Sequence, residues 1–226
     1  MELLKKENQK IVIDYSIKVC GMKFRENIMD LVQLPIQYIG FIFYPPSPRY
    51  VGDDFNAEIT NEIPDNVNKV GVFVDENLNT VLRKIEKYKL QFVQLHGYET
   101  PDYCIAIREK GCKIIKAFRA EPALLTCETA NYRFACDYYL FDTPSVIHGG
   151  SGEKFDWKML QQQKLYHTYF LSGGIAPGDE RTIKSIGLSG LYALDLNSRF
   201  ETAPGIKNVQ AIKDFVKNLR EKDNHY

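Results

Sequence analysis

The stretch YYLFDTPSVIHGGSGEKFDW, Tyr138 to Trp157, sets the pattern for the whole chain. Its apolar run, Tyr138 to Phe141, has the length of a strand buried on both faces. The run stops at a carboxylate, Asp142. A glycine-rich loop follows, with Gly149, Gly150, Ser151 and Gly152, where backbone N–H groups can approach a ligand or the loop can close over one. Asp156 then stands where a new helix can begin. A carboxylic acid at such a strand end lies where a low-dielectric core meets solvent, a setting that suits an acid working near neutral pH.

The same unit recurs on either side. Short apolar runs occur at 17–21, 39–43, 70–74, 92–96, 113–118, 138–142, 169–173 and 191–196, and their starts are 22, 31, 22, 21, 25, 31 and 22 residues apart. Most are too short for helices and are rich in β-branched or aromatic residues, so they read as strands. Helical patterns lie between them. Phe24, Ile28, Leu31 and Val32 form the first, stopped by Pro35. Leu78, Val81, Leu82 and Ile85 share one helical face. Thr100 and Pro101 give a cap and a first turn, with Gly111 fitting the end of that helix. Val209, Ile212, Phe215, Val216 and Leu219 make a final amphipathic helix.

Eight strands alternating with helices predict an α/β fold, a single-domain eight-stranded parallel β/α (TIM) barrel over residues 17–226. Residues 1–16 are expected to be an N-terminal extension. A doubly wound open sheet is the competing architecture, but it would carry a dinucleotide loop after the first strand, and Gly21-Met22-Lys23-Phe24 is not that loop.

With 226 residues the chain can bury one large core, and 44% apolar and 26% charged residues are ordinary for a globular protein. Lysine plus arginine equal aspartate plus glutamate at 29 each, so bulk charge gives no support for nucleic-acid or acidic-membrane partners. The five cysteines are odd in number and form no C-x-x-C pair, which points to free thiols in a reducing cytoplasm. The charged N-terminus has no apolar h-region, and no apolar stretch reaches the ~18 residues of a membrane span.

A barrel gathers the polar residues at its C-terminal strand ends into one mouth. Those residues are Cys20, Arg49, His96, Arg119, Asp142, Ser172 to Gly174, and Asp195 to Ser198. Cys20 alone would be a small buried apolar residue, but as a thiolate at a strand end it could take a proton from carbon. Asp142 alone could be a cap or an ion-pair partner. Arg49 sits in YPPSPRY, where prolines stiffen the loop and could aim a guanidinium fork at a planar carboxylate. His96 could simply be a satisfied strand-end histidine. Gly173 and Gly174, with a short helix expected to start near Asn197 and Ser198, fit a barrel phosphate site. No metal-binding motif is present to suggest a metal, and a Walker loop is absent.

Together these residues resemble the phosphoribosylanthranilate isomerases of tryptophan biosynthesis. The resemblance is carried by KVCGM (18–22), GFIFYPPSPRYV (40–51), KVGVFVDE (69–76), VQLHG (93–97), IKAFR (115–119), FDT (141–143), GGSGEKFDW (149–157), LSGGI (171–175) and the run from Asp195 to Lys207. It implies an Amadori rearrangement of N-(5-phosphoribosyl)anthranilate to 1-(2-carboxyphenylamino)-1-deoxyribulose 5-phosphate, without cofactor. It implies Asp142 as general acid and Cys20 as general base. Arg49, His96 and Asp195 would hold substrate, and Gly173, Gly174, Asn197 and Ser198 would hold its phosphate. The implied partner is a small phosphorylated substrate, acted on by a cytoplasmic monomer or homodimer. Arg199 stands where the family usually has glycine. The rival readings are a different phosphosugar barrel, such as an epimerase with metal-binding histidines, and a barrel that binds a phosphorylated ligand without catalysis.

Overall fold

The structure is a computed structural model that describes residues 15–121, 125–143 and 154–221. Eight strands form a closed barrel: β1 (Ser16–Cys20), β2 (Tyr38–Ile42), β3 (Asn68–Phe73), β4 (Phe92–Leu95), β5 (Lys113–Arg119), β6 (Tyr138–Asp142), β7 (Tyr169–Leu171) and β8 (Leu191–Leu196). Each pairs in parallel with its neighbour in sequence. β8 closes on β1 with Ser16 opposite Ala193 and Lys18 opposite Asp195. The eight expected strands are therefore all present, in barrel order. β1 begins one residue before the expected boundary at 17, and Tyr15 ahead of it is buried. Most of the expected N-terminal extension, and the glycine-rich loop at 149–152, lie outside the described residues.

Three of the helices start where a side chain serves an orphan backbone donor. α3 (Leu78–Tyr88) is capped by Asn77, whose side chain accepts from the Asn79 N–H. α4 (Pro101–Arg108) is capped by Thr100, with proline at its first position. α7 (Val209–Arg220) is capped by Asn208, which accepts from the Ala211 N–H. The faces expected to be apolar are the ones turned inward: Val81 in α3 and Ile212, Phe215, Val216 and Leu219 in α7 are buried. α1 (Arg25–Leu31), α5 (Leu125–Asn131) and α6 (Glu180–Ile186) follow β1, β5 and β7.

Three connections were not legible in the periodicity. α2 (Glu58–Asn61) has four residues, too few to show a period. The β6–β7 crossover carries a 3₁₀ helix, Trp157–Gln162, which Asp156 caps by accepting from the Lys158 N–H. A short hairpin, β9 (Glu201–Ala203) with β10 (Ile206–Lys207), follows β8.

Strand alternation sorts side chains into two cores. Ile17 and Val19 face outward into the layer between strands and helices, among the residues of the larger core. A second cluster fills the barrel itself: Tyr38, Val70, Phe92, Ile115, Leu140, Phe170 and Ala193, with Tyr138 and Tyr192 packed against it. The rings of Tyr38, Phe92, Tyr138, Phe170 and Tyr192 come from strand starts and meet largely edge-on. Tyr38 lies 5.1 Å from Phe92 and 5.3 Å from Phe170, centroid to centroid. The hydroxyls of Tyr38 and Tyr192 are hydrogen-bonded at 2.7 Å. This aromatic layer closes the N-terminal end of the barrel and leaves the C-terminal end for polar groups.

Candidate active site

One cavity of about 730 Å³, continuous with solvent, opens at the C-terminal ends of the strands. Its walls include Cys20, Arg49, His96, Asp142, Gly173, Gly174, Asp195, Asn197 and Ser198, whereas Arg119, also expected at the mouth, is not part of its lining and lies 5.8 Å over the Tyr98 ring instead. Residues from β1, β4, β6 and β8, far apart in sequence, are brought together by barrel closure.

Cys20 is the last residue of β1 and is 3% exposed. Gly40 of β2 lies opposite it in the ladder, and a Cβ at Gly40 would fall 2.7 Å from the Cys20 sulfur. The glycine thus gives the thiol its seat. Two residues earlier on the same inward face is Lys18, which is fully buried and donates to both carboxylate oxygens of Asp195 at 2.9 Å. Burial pushes the Cys20 thiol up and the nearby Lys18 ammonium pulls it back, with burial the stronger effect. Burial also raises Asp195 above the usual carboxylate range despite the opposing pull of Lys18. Lys18 itself is lowered by burial, but Asp195 and Cys20 more than compensate and leave it raised.

Asp142 ends β6. Its Oδ1 accepts from the Thr143 N–H at 2.9 Å, and its Oδ2 lies 3.3 Å from His96 Nε2. His96 Nδ1 is in turn 2.8 Å from the side-chain nitrogen of Gln94, which is buried. With the amide donating to Nδ1, the imidazole carries its proton on Nε2 and presents it to Asp142. His96 is therefore held between Gln94 and Asp142 as well as lining the pocket.

Arg49 is buried and its fork is engaged. Nε donates to both oxygens of Glu201 at 2.9 and 3.0 Å, and Nη2 donates to Glu201 Oε2 at 2.7 Å. Among the described residues Nη1 makes no such bond, which leaves it for a ligand. Glu201 also accepts from Lys207 Nζ at 2.5 Å and from the Gly205 N–H at 3.1 Å. Lys207 Nζ donates further to Asn197 Oδ1 at 2.7 Å. Burial raises the Glu201 carboxyl, but Arg49 and Lys207 outweigh it and hold the group below its ordinary range. Burial brings Lys207 down to about 8 against the pull of Glu201.

On the opposite wall, Gly173 and Gly174 have φ of 81° and 72°. A side chain at Gly173 would collide with Thr143, whose N would lie 2.7 Å from the added Cβ, and would press on Asp142 Oδ1 at 3.2 Å. The helix expected near Asn197 is a single 3₁₀ turn, Ser198–Phe200, because the chain enters the β9–β10 hairpin directly after it. Sequence reasoning passed over Lys18, Gln94, Glu201 and Lys207. Lys18 and Gln94 had left a trace, as polar residues inside apolar runs. Glu201 and Lys207 belong to a hairpin with no periodic signature. Among the described residues, no group of three or more His, Cys, Asp or Glu side chains is placed to hold a metal ion.

Comparison with known proteins finds one family. Residues 17–218 match the family described as N-(5'-phosphoribosyl)anthranilate (PRA) isomerase. The N-(5'-phosphoribosyl)anthranilate isomerase of Phocaeicola vulgatus is 37% identical over 206 residues, which is 91% of this chain and 98% of that protein. The crystal structure of the phosphoribosyl anthranilate isomerase of Thermotoga maritima superposes with a TM-score of 0.80 at 33% identity, over 91% of this chain and 98% of that one. A second isomerase structure, solved with reduced 1-(o-carboxyphenylamino)-1-deoxyribulose 5-phosphate, matches with a TM-score of 0.77 at 31% identity, over 91% and 98% of the two chains. With its barrel, its pocket and these relatives, the chain belongs to the N-(5'-phosphoribosyl)anthranilate isomerase family.

Proposed function

We propose that this chain rearranges N-(5'-phosphoribosyl)anthranilate to 1-(2-carboxyphenylamino)-1-deoxyribulose 5-phosphate with Cys20 as general base and Asp142 as general acid. Asp142 gives its proton to the ribose ring oxygen as the anilino nitrogen's lone pair opens the ring to an iminium ion. The Cys20 thiolate then removes the proton from carbon 2, and the electrons flow to nitrogen to give an enolamine. Tautomerisation yields the ketone. At the end Asp142 is ionised and Cys20 is a thiol, so the pair has moved one negative charge from sulfur to carboxylate without changing the total.

The observation that carries this reading is that β1 and β6 bring Cys20 and Asp142 to one cavity, with Arg49 on its wall. His96 holds one oxygen of Asp142 and keeps the carboxyl facing the pocket. Arg49, braced by Glu201, offers Nη1 to the anthranilate carboxylate. Gly173, Gly174, Asn197 and Ser198 receive the phosphate, and Asp195 meets the substrate's amine or hydroxyls.

The test follows the fluorescence of phosphoribosylanthranilate with the purified chain and a chelator present. Cys20→Ala and Asp142→Asn are each expected to cut kcat by about 100- to 10,000-fold, the range supplied by a placed proton-transfer group. Binding of the reduced product analogue is expected to survive both changes. Turnover at the wild-type rate in either variant overturns that residue's role.

A further inference from the structure

Cys20 is buried in a place that opposes its ionisation, yet a base must ionise. Burial is the largest influence on the thiol and pushes it up. Two buried ammonium groups flank it. Lys18 lies two residues back on the inward face of β1, fully buried beneath the pocket floor. Lys207 reaches in from β10, and its side chain is also fully buried. Its acceptor Asn197 sits against the residue after the thiol: a Cβ on Gly21 would be 3.0 Å from Asn197 Oδ1.

The charges around the sulfur can be named element by element. β1 supplies Lys18, β8 supplies Asp195, the loop after β2 supplies Arg49, β9 supplies Glu201 and β10 supplies Lys207. Three cations face two carboxylates, and one positive charge is left over. Across the cavity stand His96 and Asp142. When Asp142 holds its proton, a thiolate at Cys20 neutralises that remaining charge. When Asp142 is ionised, the thiol form gives the same total.

We propose that Lys18 and Lys207 are positioning residues that make Cys20 a usable base, a pair of buried ammonium groups that hold its thiolate from below and from the hairpin side. The proposal rests on Cys20 being the base. The two fail differently: loss of the base role appears as turnover in Cys20→Ala, whereas the lysines are tested on the thiol without substrate.

The experiment measures the pH dependence of Cys20 alkylation by iodoacetamide, located by peptide mass. The background is Cys127→Ser, which removes the one exposed thiol among the described residues. Lys207→Gln and Lys18→Gln keep a hydrogen-bond donor and remove the charge. Each is expected to slow alkylation of Cys20 about tenfold at about pH 7, where Lys207 still carries its proton, the equivalent of about one pH unit in thiolate fraction. The acid limb of kcat is expected to move up with it, and Lys207→Arg is expected to restore both profiles. A merely structural role would lower stability and leave the alkylation rate at about pH 7 where it was. An unchanged rate at about pH 7 in both variants overturns the proposal, and an unchanged rate in one removes that lysine from it. Should Lys18→Gln not fold, Lys207→Gln decides the outcome, since its partners Glu201 and Asn197 lie outside the barrel interior.

Discussion

Gly40→Ala is the sharpest test of the site, because it presses on the sulfur from the neighbouring strand and changes no charge. The added Cβ would stand 2.7 Å from Cys20 Sγ and 3.1 Å from Cys20 Cα. Ordinary contact begins near 3.4 Å. The Cα belongs to a paired strand and yields little, so most of the adjustment falls on the side chain, which must move by about 1 Å. A misplacement of about 1 Å at a reacting group can cost ~100-fold in rate. Overpacking of this kind costs about 1–3 kcal/mol of stability. The expected result is therefore a kcat about 100-fold lower, a KM close to wild type, and a modest loss in urea denaturation. Gly71→Ala is the control. Its Cβ would meet Leu90 and Phe73 on the outer face of β3, with the Phe73 ring at 2.8 Å, so it is expected to lose comparable stability and retain kcat. If Gly40→Ala turns over phosphoribosylanthranilate at the wild-type rate while remaining folded, the position assigned to the base is wrong.

Gly173→Ala is expected to lose about 1–2 kcal/mol from the left-handed backbone alone, with the collision at Thr143 adding to it and displacing Asp142. Urea denaturation and kcat would both register the change, and a neutral outcome would refute the close packing of that turn. Glu201→Gln leaves Arg49 and Lys207 without their shared carboxylate and is expected to cost about 3–5 kcal/mol. Because the folded Glu201 titrates below its unfolded value of 4.5, its contribution is present above that pH and fades as acid approaches the folded value. The variant's stability curve should be flatter there, and parallel acid curves would count against the pairing. Lys207 has the same sign of dependence, in an alkaline window. Its folded value of about 8 lies below the unfolded 10.5, so the unfolded chain binds more protons between them and stability gains from this group as pH rises through that window. Lys207→Gln removes that gain, which thermal melts at pH 8 and pH 10 would show.

The strands were legible because a strand between a helical layer and a filled barrel is apolar on both faces, as in Tyr138 to Phe141. Their termini could be placed because a polar side chain becomes affordable only at the rim, as at Cys20 and Asp142. The short turn after Asn197 was legible only from the glycine and strand-end pattern of a barrel phosphate site, and α2 and the β9–β10 hairpin were not legible, since two to four residues cannot show a period. Lys18 is the instructive omission. Inside an apolar run, a lysine looks like a flaw until closure of the barrel sets it against Asp195, 177 positions away. Pairs of that kind depend on register, and register belongs to the folded chain.

The ring of Tyr38, Phe92, Tyr138, Phe170 and Tyr192 makes the barrel a cup with a sealed base. Molecules enter and leave over a single lip, with no passage through the far end. Released ketone must vacate the same doorway that the next ribosylamine approaches, so product inhibition is expected to be competitive with substrate.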